Sequence, residues 1–195
     1  MTIPPNILAF SGSTRNGSYN ERLLGLAAIA AEQSGVKVQV IRLRDYPMPF
    51  YDADLEAEQG LPEKAREFKR LLLSHQGFLI SSPEYNSSLT AVLKNAIDWA
   101  SRREEGEEPL ACFQSKVVGL MSASPGALGG LRGLMHVRSI LGSLGCLVIP
   151  EQAAVSQAHQ AFDENGKLKE QSMRDRVDTV AVAAAKLLKK LHSVV

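Results

Sequence analysis

Residues 11–20, Ser-Gly-Ser-Thr-Arg-Asn-Gly-Ser-Tyr-Asn, gather hydroxyl and amide side chains around a single arginine. This segment (the first loop) follows a short apolar run and leads into a helical pattern, so backbone N–H groups of a helix start are free there. Free amides and the helix dipole favour an anion, and Arg15 adds a charge that bridges two phosphate oxygens. The alternative is a polar turn in which Ser18 merely caps the helix. The number of polar side chains favours a phosphate-binding loop.

Two better-known phosphate motifs are absent from the first loop. A nucleotide P-loop requires a lysine after its second glycine, and the first loop contains no lysine. A dinucleotide fingerprint requires Gly-x-Gly-x-x-Gly, whereas this loop has glycine only at Gly12 and Gly17. Without those glycines we interpret Asp45 as loop polarity and not as a ribose-binding acid. The phosphate is therefore predicted to be a monoester.

Two further loops follow apolar runs. Residues 82–88 (the second loop) combine proline, an aromatic residue and an amide, which indicates a stiff loop that presents backbone groups to the edge of a planar ligand. Ser87 or Ser88 is expected to cap the following helix. Residues 122–130 (the third loop) contain three glycines, which permit close approach of the backbone to a ligand. A flexible connection explains the third loop equally well.

Short apolar runs alternate with helical spacing along the whole chain. The runs predict five strands, at residues 6–10, 36–43, 77–81, 117–121 and 146–149, and the helical spacing predicts helices at 19–34, 63–74, 89–102, 131–144 and 170–192. Parallel strands need crossover helices, so this alternation predicts an α/β parallel sheet covered on both faces. No repeat or linker interrupts it, so residues 1–195 are predicted to form one domain. Ligands of such sheets bind beyond the carboxyl ends of the strands, where the three loops lie.

The composition excludes several classes of protein. A hydrophobic fraction of 45%, a charged fraction of 22% and a net charge of +1 are typical of soluble proteins and argue against nucleic-acid binding. Cys112 and Cys146 stand in no Cys-x-x-Cys pair, so neither a disulfide framework nor a zinc site is expected. The amino-terminal residues do not resemble a signal peptide, and the apolar stretches are too short for a membrane span. A cytoplasmic protein without nucleic-acid or membrane partners is expected.

Other residues that attract functional interpretations are assigned structural roles. Four scattered histidines, at positions 75, 136, 159 and 192, are not expected to bind a metal. The acidic stretch at residues 52–58 lacks the ligand pattern of a calcium loop, and we expect a solvated turn there. The serines near glycines form no Gly-x-Ser-x-Gly elbow, which argues against a hydrolase. Trp99 lies on an amphipathic helix and is expected in the core or in an interface.

The first two loops, together with the helix motif Lys94-Asn95-Ala96-Ile97-Asp98-Trp99, carry a family resemblance. In order and spacing, about residues 6 to 150 resemble the NADPH-dependent FMN reductase family, a flavodoxin-like branch that includes quinone and chromate reductases. The resemblance implies a flavodoxin-like, doubly wound, five-stranded parallel sheet of order 2-1-3-4-5.

The resemblance also implies a role for particular residues. The FMN phosphate is expected to be held by Ser13, Arg15, Ser18 and Asn20, and Ser11 is grouped with these cofactor-binding residues. The isoalloxazine ring is expected to be lined, mostly through backbone N–H groups, by Pro83, Glu84, Tyr85 and Asn86. Ser124 and Gly126 are expected near the other border of the ring. No side chain is assigned as a catalytic residue or a metal ligand.

The implied activity is hydride transfer from NAD(P)H through FMN to a small acceptor such as a quinone or free flavin. Members of the family imply a homodimer or homotetramer, with the helix at residues 89–102 and its Trp99 near a subunit boundary. The alternatives are an electron shuttle of the flavodoxin type and a flavin-binding module without NAD(P)H turnover. Near-neutral charge and the arginine of the first loop favour the reductase over the shuttle.

Overall fold

A computed structural model describes residues 4–192 of the chain. Among these residues, five parallel strands form one sheet: β1 (Asn6–Ser11), β2 (Lys37–Arg42), β3 (Gly77–Ser81), β4 (Val117–Ala123) and β5 (Leu147–Val155). Their order in the sheet is β2-β1-β3-β4-β5 and every neighbouring pair is parallel. The predicted fold class and strand order are therefore confirmed.

In the described part of the chain, seven helices connect or follow the strands: α1 (Tyr19–Gln33), α2 (Ala53–Gln59), α3 (Glu63–Ser74), α4 (Ala91–Ala100), α5 (Leu131–Ser143), α6 (Ala158–Ala161) and α7 (Gln171–His192). A 3-10 turn, Leu43–Asp45, follows β2. Helices α1 and α7 cover one face of the sheet, and α3, α4 and α5 cover the other. Because all five strands are parallel, their carboxyl ends lie at one end of the sheet, and the loops after β1, β3 and β4 meet there.

The alternation of side chains along each strand divides the core into two layers. In β1, Ile7 and Ala9 pack towards α1 and α7, whereas Leu8 and Phe10 pack towards α3 and α4. All of β3 and β4 is buried, because both strands are covered on both faces. Gly119 lets α7 lie close to β4, since a Cβ there would stand 3.0 Å from Val180.

Two predictions about local structure are wrong. The acidic stretch at residues 52–58 forms most of α2 and is not a turn, because the Asp52 carboxylate caps the helix by accepting from the N–H of Asp54 at 2.8 Å. Strand β5 does not end at Ile149. It continues to Val155 past Pro150, because β5 is an edge strand whose register against β4 shifts between Val118 and Leu120.

Trp99 lies in the core and not at a surface. Its side chain is fully buried, its indole N–H donates to the carbonyl oxygen of Pro49 at 2.8 Å, and its ring packs edge-on against Tyr51. The side-chain amide of Asn95 binds the same segment. It accepts from the N–H of Tyr51 and donates to the carbonyl oxygen of Pro49, both at 2.8 Å. The helix motif therefore fastens residues 49–51 over α4. Because this segment covers it, Trp99 belongs to the core, one of the two positions expected for it.

No helix within residues 4–192 has both the length and the apolar composition required to cross a membrane. The longest, α7, carries charged side chains along its outer face.

Candidate functional site

A cleft of about 220 Å³ opens at the carboxyl ends of β1, β3 and β4. It lies where the strand order reverses, which is the usual ligand position in an open α/β sheet. Its walls are formed by the first loop and the start of α1 (Ser13, Arg15, Ser18, Tyr19, Asn20), the second loop (Pro83, Glu84, Tyr85) and the end of β4 with the third loop (Ala123, Ser124, Pro125). Eight predicted site residues thus meet in one cleft.

Three predicted residues do not line the cleft. Ser11 is 2% exposed at the end of β1, and its hydroxyl has no hydrogen-bond partner within residues 4–192. Asn86 is exposed at the tip of the second loop, and Gly126 follows the lining residue Pro125.

The first loop presents unpaired backbone donors at the start of α1. Ser18 caps the helix, its hydroxyl accepting from the N–H of Asn20 at 3.2 Å, and Ser13 Oγ accepts from the N–H of Arg15 at 3.2 Å. The N–H groups of Ser13, Thr14, Asn16 and Gly17 donate to no acceptor in the described part of the chain. The cap and the anion-binding interpretation are therefore compatible, since the cap leaves four donors and the positive end of the helix dipole unused.

Arg15 is exposed and forms no ion pair with any described residue. Its guanidinium lies 5.2 Å from the centre of the Tyr19 ring, and that ring stacks on Phe162 with centres 6.0 Å apart. The aromatic pair supports the arginine by a cation–π contact without neutralising it. Arg15 thus keeps its charge available to an anion in the cleft.

Asn20 ties the start of α1 to two strands of the site, β3 and β4. Its side-chain oxygen accepts from Ser81 Oγ and from the N–H of Ala123, both at 2.9 Å, and its Nδ2 donates to the carbonyl oxygen of Ala123 at 2.8 Å. The residue is 3% exposed. Because an amide carries two N–H groups, one donor of Asn20 remains after these bonds. Asn20 fixes the start of α1 against β3 and β4, which sets the width of the cleft.

The second loop is a tight hairpin. Tyr85 and Ser88 exchange backbone hydrogen bonds of 2.9 and 3.1 Å, and the two residues between them, Asn86 and Ser87, have φ values of 51° and 65°. Two successive positive φ angles define a type I′ turn, which explains the stiffness predicted for this loop. The N–H groups of Glu84 and Asn86 donate to no acceptor within residues 4–192. The second loop therefore has backbone donors for a ligand edge.

The cap of α4 was predicted at Ser87 or Ser88, and this prediction is wrong. The capping residue is Thr90, whose hydroxyl accepts from the N–H of Leu93 at 3.2 Å and donates to the carbonyl oxygen of Gly12 at 2.6 Å. Ser87 and Ser88 cannot cap α4, because Ser87 lies in the hairpin turn and Ser88 pairs with Tyr85. Thr90 therefore links the connection between β3 and α4 to the first loop.

Glu84 has a role that sequence reasoning missed. Its carboxylate accepts from the N–H of Gly133 at 3.0 Å and lies 3.3 Å from Arg132 Nε, both in the first turn of α5. A Cβ at Gly133 would stand 3.1 Å from the carbonyl oxygen of Ser88, so glycine allows the second loop to pack on α5. The Glu84 side chain is thus directed to α5, which leaves its backbone N–H for a ligand.

The third loop is anchored to β5. The N–H of Ser124 donates to the carbonyl oxygen of Val155 at 3.0 Å, and Ser124 Oγ accepts from the N–H of Gly126 at 3.2 Å. Gly129 has a φ of 61°, and a Cβ there would stand 2.7 Å from the backbone of Val155. These contacts argue against a flexible connection, because the backbone is held against its neighbours.

The thiols take no part in the site. Cys112 and Cys146 are buried, and burial raises the pKa of Cys112 to about 11 and that of Cys146 to about 12. Their thiolates, which are the reactive forms, are therefore scarce near neutral pH. Within residues 4–192 no group of three histidine, cysteine or acidic side chains has the arrangement to hold a metal ion.

Comparison with known proteins identifies the family. The model of the NADPH-dependent FMN reductases matches residues 5–160. The chain belongs to the NADPH-dependent FMN reductase family. Similar proteins include an NAD(P)H:quinone oxidoreductase of Solanum tuberosum and an NAD(P)H-dependent FMN reductase of Pseudomonas aeruginosa, and each is 34% identical to this chain. The alignments cover 95% of this chain and 93% of the first relative, and 88% of this chain and 88% of the second.

A solved structure shares the fold. FerB, described as a flavoenzyme NAD(P)H:(acceptor) oxidoreductase from Paracoccus denitrificans, superimposes with a TM-score of 0.79 at 24% identity. The superposition covers 95% of this chain and 98% of FerB.

FMN is the cofactor of this family, with NAD(P)H as electron donor. The residues of the cleft fit FMN at both ends. The four free N–H groups of the first loop and the unpaired Arg15 fit a phosphate, and the free N–H groups of Glu84 and Asn86 fit the polar edge of a flavin ring. The protein is thus an oxidoreductase of the FMN-dependent class.

Proposed function

We propose that this protein is an FMN-dependent NAD(P)H oxidoreductase that delivers electrons to a small acceptor such as a quinone or free flavin. One observation carries the proposal: a single cleft is lined by Ser13 and Arg15 of the first loop, which offer phosphate donors, and by Glu84 of the second loop, whose backbone N–H is free for a ring edge. Residues 1–195 act as one flavin-binding domain in this proposal. Two reductase relatives at 34% identity support enzymatic turnover over a simple electron shuttle.

The first loop binds the FMN phosphate. Ser13, Arg15 and Ser18 surround it with hydroxyl, guanidinium and backbone donors, and the remaining N–H of Asn20 contributes from below. Arg15 contributes most, since hydrogen bonds between ionised partners are roughly twice as strong as neutral ones. Ser11, buried at the end of β1, supports the loop from beneath and does not touch the phosphate.

The second and third loops orient the flavin ring. Pro83, Glu84 and Tyr85 line one edge, Asn86 follows at the tip of the hairpin, and the free N–H groups of Glu84 and Asn86 serve its polar atoms. Ser124 and Gly126 border the other side. The hairpin and the Glu84 contact with α5 fix these donors before the ligand arrives, which lowers the ordering cost of binding.

When bound, FMN would supply the redox chemistry, namely hydride acceptance from NAD(P)H and electron transfer to the acceptor. The protein's own contribution is position and electrostatics. No side chain serves as an obligatory general acid or base, because the carboxylate of Glu84 is occupied by α5 and both thiols are buried. Tyr85 lines the cleft and is 58% exposed. Its ring contacts the flavin, and its hydroxyl is not a required proton donor.

The protein works in the cytoplasm as a homodimer or homotetramer. A surface beside the cleft supports self-association, because Leu131 and Met135 are 37% and 62% exposed on one face of α5, and Leu128 just before it is 48% exposed. Contiguous exposed apolar side chains of this kind are typical of interaction surfaces. Sedimentation velocity at micromolar concentration is expected to give a dimer or larger species, and a monomer alone would refute this part of the proposal.

Steady-state kinetics test the function. With FMN-loaded protein, NADPH consumption is expected to be slow alone and to accelerate when p-benzoquinone or free FMN is added. Protein that binds FMN but consumes no NADPH with either acceptor would instead be a flavin-binding module.

A further inference from the structure

A second group of polar side chains lies on the far side of the first loop from the flavin cleft. Arg42 ends β2, and Arg44 lies in the 3-10 turn that follows. Arg44 Nη1 and Arg42 Nη2 both donate to the side-chain oxygen of Asn16, the latter at 3.3 Å. Two guanidinium groups therefore converge on one neutral acceptor of the first loop.

The charges of this pair are poorly neutralised. The carboxylate of Glu21 is 3.7 Å from Arg42 Nε, beyond hydrogen-bond distance, and Arg44 forms no ion pair with any residue from 4 to 192, its neighbour Asp45 included. Each guanidinium has five N–H donors, and the bonds to Asn16 use only one from each. Such a forked, unsaturated pair matches the oxygens of a phosphate monoester.

A cleft of about 310 Å³ adjoins the pair. Its lining includes Thr14, Arg44, Tyr46, Met48, Val92 and Ala96. Thr14 faces this cleft, whereas Ser13 and Arg15 on either side of it line the flavin cleft, so the first loop is the wall between the two. An aromatic ring and apolar side chains beside an arginine are suited to a planar base attached to a phosphate.

The two clefts are within reach of one dinucleotide. Strand β2 is three positions from β4 in the sheet, a separation of roughly 14 Å at the usual strand spacing. The flavin cleft extends from β1 to β4, and a nicotinamide that reaches the flavin ring can leave its adenosine end over β2. We propose that Arg42 and Arg44 bind the 2′-phosphate of NADPH, with its adenosine in the adjoining cleft. This inference rests on the proposed function and adds selectivity for NADPH over NADH.

The test measures binding and turnover separately. Binding of 2′,5′-ADP and of 5′-AMP to FMN-loaded protein is measured by calorimetry, since the two ligands differ by the 2′-phosphate. Arg44→Gln and Arg42→Gln are expected to weaken 2′,5′-ADP about tenfold to a hundredfold each and to leave 5′-AMP unchanged. KM for NADPH is expected to rise similarly, with unchanged kcat and unchanged NADH kinetics.

Arg70→Gln is the matched control, because Arg70 is an exposed arginine in the last turns of α3, which ends just before the amino end of β3, whereas Arg42 and Arg44 lie at the carboxyl end of β2. Unchanged 2′,5′-ADP affinity in Arg42→Gln and Arg44→Gln would overturn the proposal, as would an equal loss of 5′-AMP. A loss confined to FMN affinity would also overturn it, since the pair would then support the first loop only. Binding of 2′,5′-ADP is independent of turnover, so a failure of the proposed function is distinguishable.

Discussion

The carboxylate of Glu84 accepts a hydrogen bond from the N–H of Gly133 at 3.0 Å. Gly133 lies in the first turn of α5, where backbone N–H groups have no partner within the helix. One side chain thus joins the second loop to a helix on the other side of the cleft. Glu84→Ala is expected to destabilise the fold by about 0.5–2 kcal/mol, the range for a lost helix cap, and to weaken FMN.

Urea unfolding of the apoprotein and flavin fluorescence measure these two effects. Glu84→Gln is the matched variant, because an amide oxygen still accepts from Gly133 while the ion pair with Arg132 is lost. Its stability is expected to fall by less than about 1 kcal/mol, as for other exposed pairs. Equal losses in the two variants would contradict the role of the Gly133 hydrogen bond.

Arg15→Ala is expected to weaken FMN by about 1.5–3 kcal/mol and to leave riboflavin affinity unchanged, because only FMN carries the phosphate. Arg22→Ala is the control, since Arg22 also lies over the Tyr19 ring, at 5.9 Å, but does not line the cleft. Fluorescence titration with both flavins makes the measurement. A similar loss for FMN and riboflavin would exclude a phosphate contact.

Asn20→Asp is expected to lower the free energy of unfolding by about 1–3 kcal/mol, because the buried donor to the carbonyl oxygen of Ala123 is lost. The new carboxylate also lies beside the phosphate position, so FMN is expected to weaken more than riboflavin. Asn20→Ala removes the same hydrogen bonds without adding charge and serves as the comparison. If the Asp and Ala variants discriminate equally between the two flavins, Asn20 is remote from the phosphate.

The parallel sheet and the meeting of the three loops were predictable from the sequence pattern, and the strand order came from the family resemblance. Apolar runs such as 77–81 have no polar interruption, and a parallel sheet brings their carboxyl ends to one edge whatever the details of packing. The chemistry of the first loop was equally visible, since hydroxyls and Arg15 precede a helical pattern.

Contacts between distant segments were not predictable. A core position for Trp99 was expected, but the segment that covers it, residues 49–51, lies about 50 positions away in the sequence, and the partner of Glu84 is 49 residues away. The position of the cap at Thr90 depends on the turn at Asn86 and Ser87. Neither of these residues is a glycine, so the sequence did not indicate their positive φ angles. The contact between Gly133 and Glu84 is indicated only weakly in the sequence. A glycine in the first turn of a predicted helix can mark a close approach of another segment.

Tyr85→Phe tests the absence of an obligatory proton donor. The variant keeps the ring and loses the hydroxyl, so flavin reduction by NADPH is expected to slow by less than about tenfold. General acid catalysts typically raise a rate by about 10²–10⁴-fold, so the measured loss distinguishes a catalytic Tyr85 from one that only contacts the ring. Rapid-mixing measurement of flavin bleaching decides between them. A loss of about a hundredfold with FMN still bound would make Tyr85 a catalytic acid.

The central claim is that FMN bound in this cleft accepts electrons from NAD(P)H. The most direct test is the visible absorption spectrum of the purified, FMN-loaded protein before and after anaerobic addition of NADPH. The account predicts a yellow protein whose flavin absorption is bleached by NADPH and restored when quinone is added. A flavin spectrum that NADPH and NADH both leave unchanged, in protein that retains its FMN, would contradict it.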